Sequence, residues 1–152
     1  MDGLRYIDVT PVLDTNAYTA NDTLFDKTEI PNAAKGFGEP VELVSLAVID
    51  KDDQTAAAVD LYFLSSDVTF GAANSAPSIS DTDAVHLLGC VSLAAGDWKD
   101  VGGAKVATKT AIGMILKPKE GTKSVYVAAT CAGTPTQTAS GYRLRFGFRD
   151  AR

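Results

Sequence analysis

His86 is the single histidine in the 152 residues, so any Ser–His–Asp relay has to run through it. No serine stands in a GxSxG nucleophile elbow, and a histidine in a short helical stretch needs no chemistry to explain it. A Cys–His pair would need Cys90 or Cys131 in an electropositive, accessible site. Cys90 lies four residues from His86, but neighbourhood in sequence does not create that geometry. The acidic run Asp50-Lys51-Asp52-Asp53 resembles the start of a calcium loop. However, Thr55 occupies the sixth position, where an EF-hand needs Gly, and Leu61 the twelfth, where it needs Glu. The run therefore reads as a polar turn. Asp81 and Asp83 suit the first turn of a helix, where the helix dipole favours carboxylates. With fifteen aspartates some pair will always suggest a glycosidase, and their spacing in sequence does not decide it. Gly36-Phe37-Gly38 and Gly102-Gly103-Ala104-Lys105 lack the pattern of a phosphate loop and read as turns. No metal or other cofactor is expected, and the chain is not read as an enzyme.

The basic residues form a more specific pattern. In the last segment Tyr142, Leu144, Phe146 and Phe148 alternate strictly with Arg143, Arg145, Gly147 and Arg149. A strand with that period presents an apolar face to a core and a row of arginines to the other side. Such a row offers bidentate donors suited to carboxylates of another subunit. Lys117, Lys119 and Lys123 could extend this partner-binding set, although scattered lysines also make an ordinary solvated face. The aromatic residues of this strand share the core parity, which does not suit stacking on RNA bases. Trp98, after Gly96-Asp97, reads as a lid over the edge of the fold.

The elements positioning these residues are strands. Residues 41–50 (VELVSLAVID) carry apolar side chains on both parities, as in a strand covered on both faces. Residues 58–65 follow a polar turn, so the two segments read as a hairpin or neighbours. Residues 111–116 and 124–131 read as a second antiparallel pair, with Val125, Val127 and Ala129 on one face. Weaker candidates are residues 4–9, 18–25, 68–71, 90–93 and 105–108. Only residues 80–88 look helical, with Ser80 and Asp83 as a capping box and Gly89 as the stop. The expected fold is all-β, an antiparallel β-sandwich of jelly-roll type with eight or nine strands and one short helix. Residues 1–40 read as an N-terminal arm with the first strands, and residues 41–152 as the sandwich core of a single domain.

Composition agrees with this. Thirteen Val and fifteen Thr favour strands, while Glu, Gln and Met are scarce. A chain of this length buries roughly two-thirds of its unfolded surface and folds without disulfide staples. Cys90 and Cys131 are accordingly expected as free thiols in core strands. No apolar run approaches the ~20 residues of a membrane span, and no signal-peptide core precedes Asp8. The net charge of −5 conceals a division: −12 over residues 1–100 and +7 over residues 101–152. The acidic excess argues against nucleic acid as the main ligand, and the polarity suggests self-association or docking on a charged lattice.

From residue 41 to residue 148 the sequence also resembles small structural proteins encoded beside head genes in tailed bacteriophages. The resemblance is carried by the Asp50-Lys51-Asp52-Asp53 turn before Leu61-Tyr62-Phe63-Leu64, by Ser78-Ile79-Ser80-Asp81 leading to Gly89 and Trp98, and by the closing SGYRLRFGF. It implies a jelly-roll capsid decoration or cement protein, made in the host cytoplasm and located on the virion surface. Such a protein binds the assembled shell of major capsid protein as a homo-oligomer, dimer or trimer, and clamps it against the pressure of packaged DNA. Neither a membrane nor nucleic acid is its partner. Within the arm, the apolar patches Tyr6-Ile7, Val12-Leu13 and Leu24-Phe25 suit strand addition on a neighbour. Two other readings are a tail or receptor-binding module for glycans and a small carboxylate-dependent hydrolase.

Overall fold

The computed structural model describes residues 3–150, among which are ten strands and one α-helical turn. The strands are β1 (Leu4–Val9), β2 (Thr23–Ile30), β3 (Val41–Asp50), β4 (Val59–Leu64), β5 (Leu87–Leu93), β6 (Trp98–Asp100), β7 (Lys105–Lys109), β8 (Met114–Leu116), β9 (Val125–Cys131) and β10 (Tyr142–Asp150). One sheet runs β1-β10-β3-β7-β6, with β8 also beside β3; the other runs β2-β9-β4-β5. The pairings are nested and antiparallel: β1 with β10, β2 with β9, β3 with β7 and β8, β4 with β5. This is one long antiparallel hairpin rolled into two facing sheets, the jelly-roll form of a β-sandwich.

The core lies between the sheets. Tyr142, Leu144, Phe146 and Phe148 of β10 are buried, as their alternation predicts, and Phe63 from the opposite sheet meets Phe146 edge-on at 5.7 Å. Val125, Val127 and Ala129 of β9 are likewise buried on one parity. Trp98 caps the sandwich edge, with its indole N–H donating to the Ala57 carbonyl at 3.0 Å and its ring 6.1 Å from that of Tyr142. Ser80 caps the helical turn α1 (Asp81–Ala84) by accepting the Asp83 N–H.

Several local expectations are corrected. β3 and β4 are not neighbours, because residues 51–58 carry the chain across the end of the sandwich into the other sheet. β8 and β9 also lie in different sheets. Residues 18–22 precede β2, and Tyr18 is instead a buried strut whose hydroxyl donates to Leu24 O and accepts from Asp14 N, both at 2.7 Å. Gly89 lies inside β5 and does not end the helix. Cys131 is buried, but Cys90 faces solvent; both are free.

The N-terminal segment is not a free arm. β1 and β2 are integral to the two sheets, and Leu24 and Phe25 are fully buried. The paired apolar residues that suggested strand addition fill the protein's own core at these positions.

Residues 68–71 are not a strand. They belong to a loop laid on the outside of the β2-β9-β4-β5 sheet, where Phe70 packs on Leu64 and Ala128 and stacks with Tyr62 at 4.9 Å. The outer face of the β1-β10-β3 sheet has no such cover among the described residues. β3 explains why its sequence looked buried on both sides. A bulge opposite Gly147 and Phe148 makes Val44 the extra residue and switches the parity. Leu43, Leu46 and Val48 then face the core, while Val44, Ala47 and Ile49 are only half-buried on the uncovered side.

Candidate functional site: the open face of the larger sheet

Residues directly opposite in antiparallel strands share a sheet face, so the register lays out the open side in rows. Leu4, Arg149, Glu42 and Ile115 form one row across β1, β10, β3 and β8. Tyr6, Gly147 and Ser45 form the next, and Asp8, Arg145 and Ala47 the third. Leu4, Tyr6 and Ile115 are 67%, 69% and 62% exposed. Between the first two rows is a groove of about 320 Å³ lined mainly by Leu4, Tyr6, Val44, Ser45 and Gly147. Gly147 leaves this space open: a Cβ built there would stand 2.5 Å from Ser45 Oγ.

Each arginine of the row meets a carboxylate of its own chain, although Arg149 Nε is buried without a hydrogen-bond partner. Arg145 grips Asp8 with a fork, Nε to Oδ1 at 2.8 Å and Nη2 to Oδ2 at 3.2 Å. Arg143 Nη1 reaches Asp8 Oδ2 at 3.1 Å, and Arg149 Nη1 reaches Glu42 Oε1 at 3.3 Å. These guanidinium contacts, led by Arg145, hold the Asp8 carboxyl below its ordinary range. The Arg145 guanidinium also sits 5.7 Å from the centre of the Tyr6 ring, a cation–π arrangement. The result is an apolar groove on the β1 side of the face, with the exposed Ile115 set apart from it by the Arg149–Glu42 ion pair.

The remaining candidates sit elsewhere. Ile7 packs on the core from the inner side of β1, and Leu24 and Phe25 lie inside the sandwich. Lys117, Lys119 and Lys123 follow β8 on the 117–123 turn, off the arginine row. Lys117 pairs with Glu120 at 2.6 Å, and Lys123 lies over the Phe37 ring at 4.9 Å. Leu4, Val44, Gly147 and Ile115 escaped selection from sequence, although the double-sided apolar pattern of β3 and the glycine interrupting the arginine alternation were both visible signals.

The other chemical candidates are structural in their geometry. Asp50 Oδ1 accepts the Asp52 N–H at 3.0 Å and Oδ2 accepts the Gln54 N–H at 3.1 Å, closing the turn. The Gln137 carboxamide donates to Asp50 and Asp52 at 3.3 and 2.6 Å, and Thr138 N donates to Asp52 at 2.8 Å. Burial pushes the Asp50 carboxyl up. Ser65 Oγ lies 3.2 Å from His86 Nδ1, but no carboxylate hydrogen-bonds that imidazole among the described residues. Nor do the described residues gather three His, Cys, Asp or Glu side chains in a cluster able to hold a metal ion.

No family model matches the chain, and no curated protein matches it. Among solved structures, one chain described as Desmodium yellow mottle tymovirus aligns with 98% of this chain and 81% of its own length, at 10% identity and a TM-score of 0.30.

Proposed function

We propose that this chain is a virion structural protein, a decoration or cement protein that binds the assembled shell of major capsid protein through the open face of its larger sheet and stabilises that shell. The observation that carries the reading is the asymmetry of the two outer faces. A loop covers the β4 and β9 part of one sheet, while the other exposes Leu4 and Tyr6 beside an apolar groove and Ile115 beyond the Arg149–Glu42 pair. Protein interfaces have this anatomy, an apolar centre with a polar, arginine-rich rim. Arg143, Arg145 and Arg149 form the rim here, remaining 44%, 46% and 42% exposed in their side chains despite their ion pairs. The resemblance of residues 41–148 to small phage head-region proteins supports the same assignment. Binding as a symmetric homo-oligomer would let modest contacts add up through multivalency.

The test is co-sedimentation with purified shells of the particle to which the chain belongs. The unaltered protein is expected to pellet with the shells saturably. Ile115→Lys combined with Gly147→Val, which charges the β8 side of the face and fills the groove, is expected to weaken binding at least tenfold while retaining the strand signature in circular dichroism. Absence of the unaltered protein from the pellet, or undiminished binding by the folded variant, would overturn the reading. Selective binding to host glycans instead would favour a tail or receptor-binding module.

A further inference from the structure

β1 is the edge of the larger sheet, and its outer edge is bare. Its six residues pair with β10 in unbroken register, and no other backbone–backbone hydrogen bond reaches Leu4–Val9 among the described residues. Natural proteins blunt such edges with charged residues, lysine above all, with proline, bulges, inward-pointing charges, short length or covering chain. The other sheet edges use these devices. β6 has three residues, two of them Lys99 and Asp100. β2 is bulged twice and covered by Asn74 and Ser75, which exchange hydrogen bonds with Thr23. β5, which neighbours only β4, is bulged at Leu88, opposite Phe63 and Leu64. β1 has no lysine, proline or bulge; its inward Arg5 is spent on Asp150 and on the Asn32 and Ala33 carbonyls, and its outward side chains Leu4 and Tyr6 are the two apolar residues most exposed on the open face.

We infer that β1 pairs antiparallel with β1 of a second copy about a two-fold axis through Tyr6, joining the two larger sheets edge to edge. The two-fold keeps outer residues opposite outer residues. It sets Tyr6 against Tyr6 of the second copy, Leu4 against Asp8, and Arg5 against Ile7. No like charges meet in this register. Both charges on the strand are already neutralised at home, Asp8 by Arg145 and Arg5 by Asp150 at 2.6 Å, so the edge offers backbone groups, a cross-strand tyrosine pair and apolar area without a charge pattern addressed to a different partner. The edge therefore fits a second copy of itself. Pairing also merges two open faces into one continuous surface, which names the oligomer within the proposed function and rests on that reading only for the use of the surface.

The experiment uses the full chain without shells, so its outcome is separable from shell binding. Sedimentation velocity across micromolar concentrations is expected to show a dimer. Leu4→Lys with Tyr6→Lys is expected to shift it to monomer, with at least a tenfold loss of self-affinity and an unchanged circular dichroism spectrum. In a Cys90→Ser background, Tyr6→Cys is expected to form a disulfide-linked dimer on mild oxidation, because directly opposed strand residues have Cα atoms roughly 4.5–5.5 Å apart, within disulfide reach. Val101→Cys, away from this edge, is expected to remain monomeric on the same gel. A protein that is monomeric throughout, a dimer indifferent to the lysines, or equal cross-linking at positions 6 and 101 would each overturn the β1 pairing. A monomer that still binds shells would do so while leaving the proposed function standing.

Discussion

Asp8 on β1 and Arg145 on β10 face each other in register and are joined by two hydrogen bonds, at 2.8 and 3.2 Å. The pair fastens the edge strand to its neighbour, and a second guanidinium, from Arg143, reaches the same carboxylate. Because these contacts lower the Asp8 pKa, their contribution is present above its unfolded value of about 3.9 and is lost as pH falls through the folded value. Asp8→Asn should therefore reduce stability at pH 7 by no more than about 1 kcal/mol, as expected for a partly exposed ion pair. It should also flatten the acid limb of stability below about pH 4. Urea unfolding at pH 7 and pH 3 measures both effects.

Asp50 should respond in the opposite direction. Burial raises its folded pKa, so its ionisation contribution favours the fold at low pH and is lost as pH rises through that value. Its oxygens nevertheless accept the Asp52 and Gln54 N–H groups. Asp50→Asn replaces one acceptor with a donor and should cost about 1–3 kcal/mol at neutral pH by leaving a backbone donor unpaired. The loss should be larger at pH 4 than at pH 7, because only the wild type gains stability from protonating this buried carboxyl, and denaturant midpoints read it.

Removing residues 2–30 should abolish cooperative unfolding, because it deletes both β1 and β2 and takes Leu24 and Phe25 out of the core. The milder Phe25→Ala should cost about 3–5 kcal/mol. Differential scanning calorimetry would show no transition for the deletion and a lowered one for the point variant.

Cys90 is exposed and Cys131 is 4% exposed. Titration of the native chain with a thiol reagent should label one cysteine promptly and the second only on unfolding. Cys90→Ser should remove the prompt reaction. Desolvation raises the Cys90 pKa, so the prompt rate should climb as pH is raised above 8.

The sequence disclosed β10 almost completely, since an alternating strand with one apolar face has only one way to sit on a core. It also disclosed the jelly-roll class, through many short strands without intervening helices. Pairing partners were harder to read. Residues 41–50 and 58–65 look like a hairpin, but whether a connection turns back into its own sheet or crosses to the other depends on tertiary packing of residues 51–58. Leu24 and Phe25 carry the same local signal whether they fill their own core or a neighbour's, and only β2's place beside β9 decides it. The arginines were found, but Asp8 lies 137 residues from Arg145, and nothing local links them. Val44 and Gly147 became meaningful once the bulge placed the β3 parity switch beside the gap in the arginine row.

In the proposed function the open face of the β1-β10-β3 sheet rests on an assembled shell. A cryo-electron reconstruction of the purified particles tests it most directly. This jelly roll is expected in many copies on the shell, with Leu4, Val44, Gly147 and Ile115 facing major capsid protein. Density for the chain at the tail alone, or on the shell with that face turned to solvent and unpaired, would contradict it.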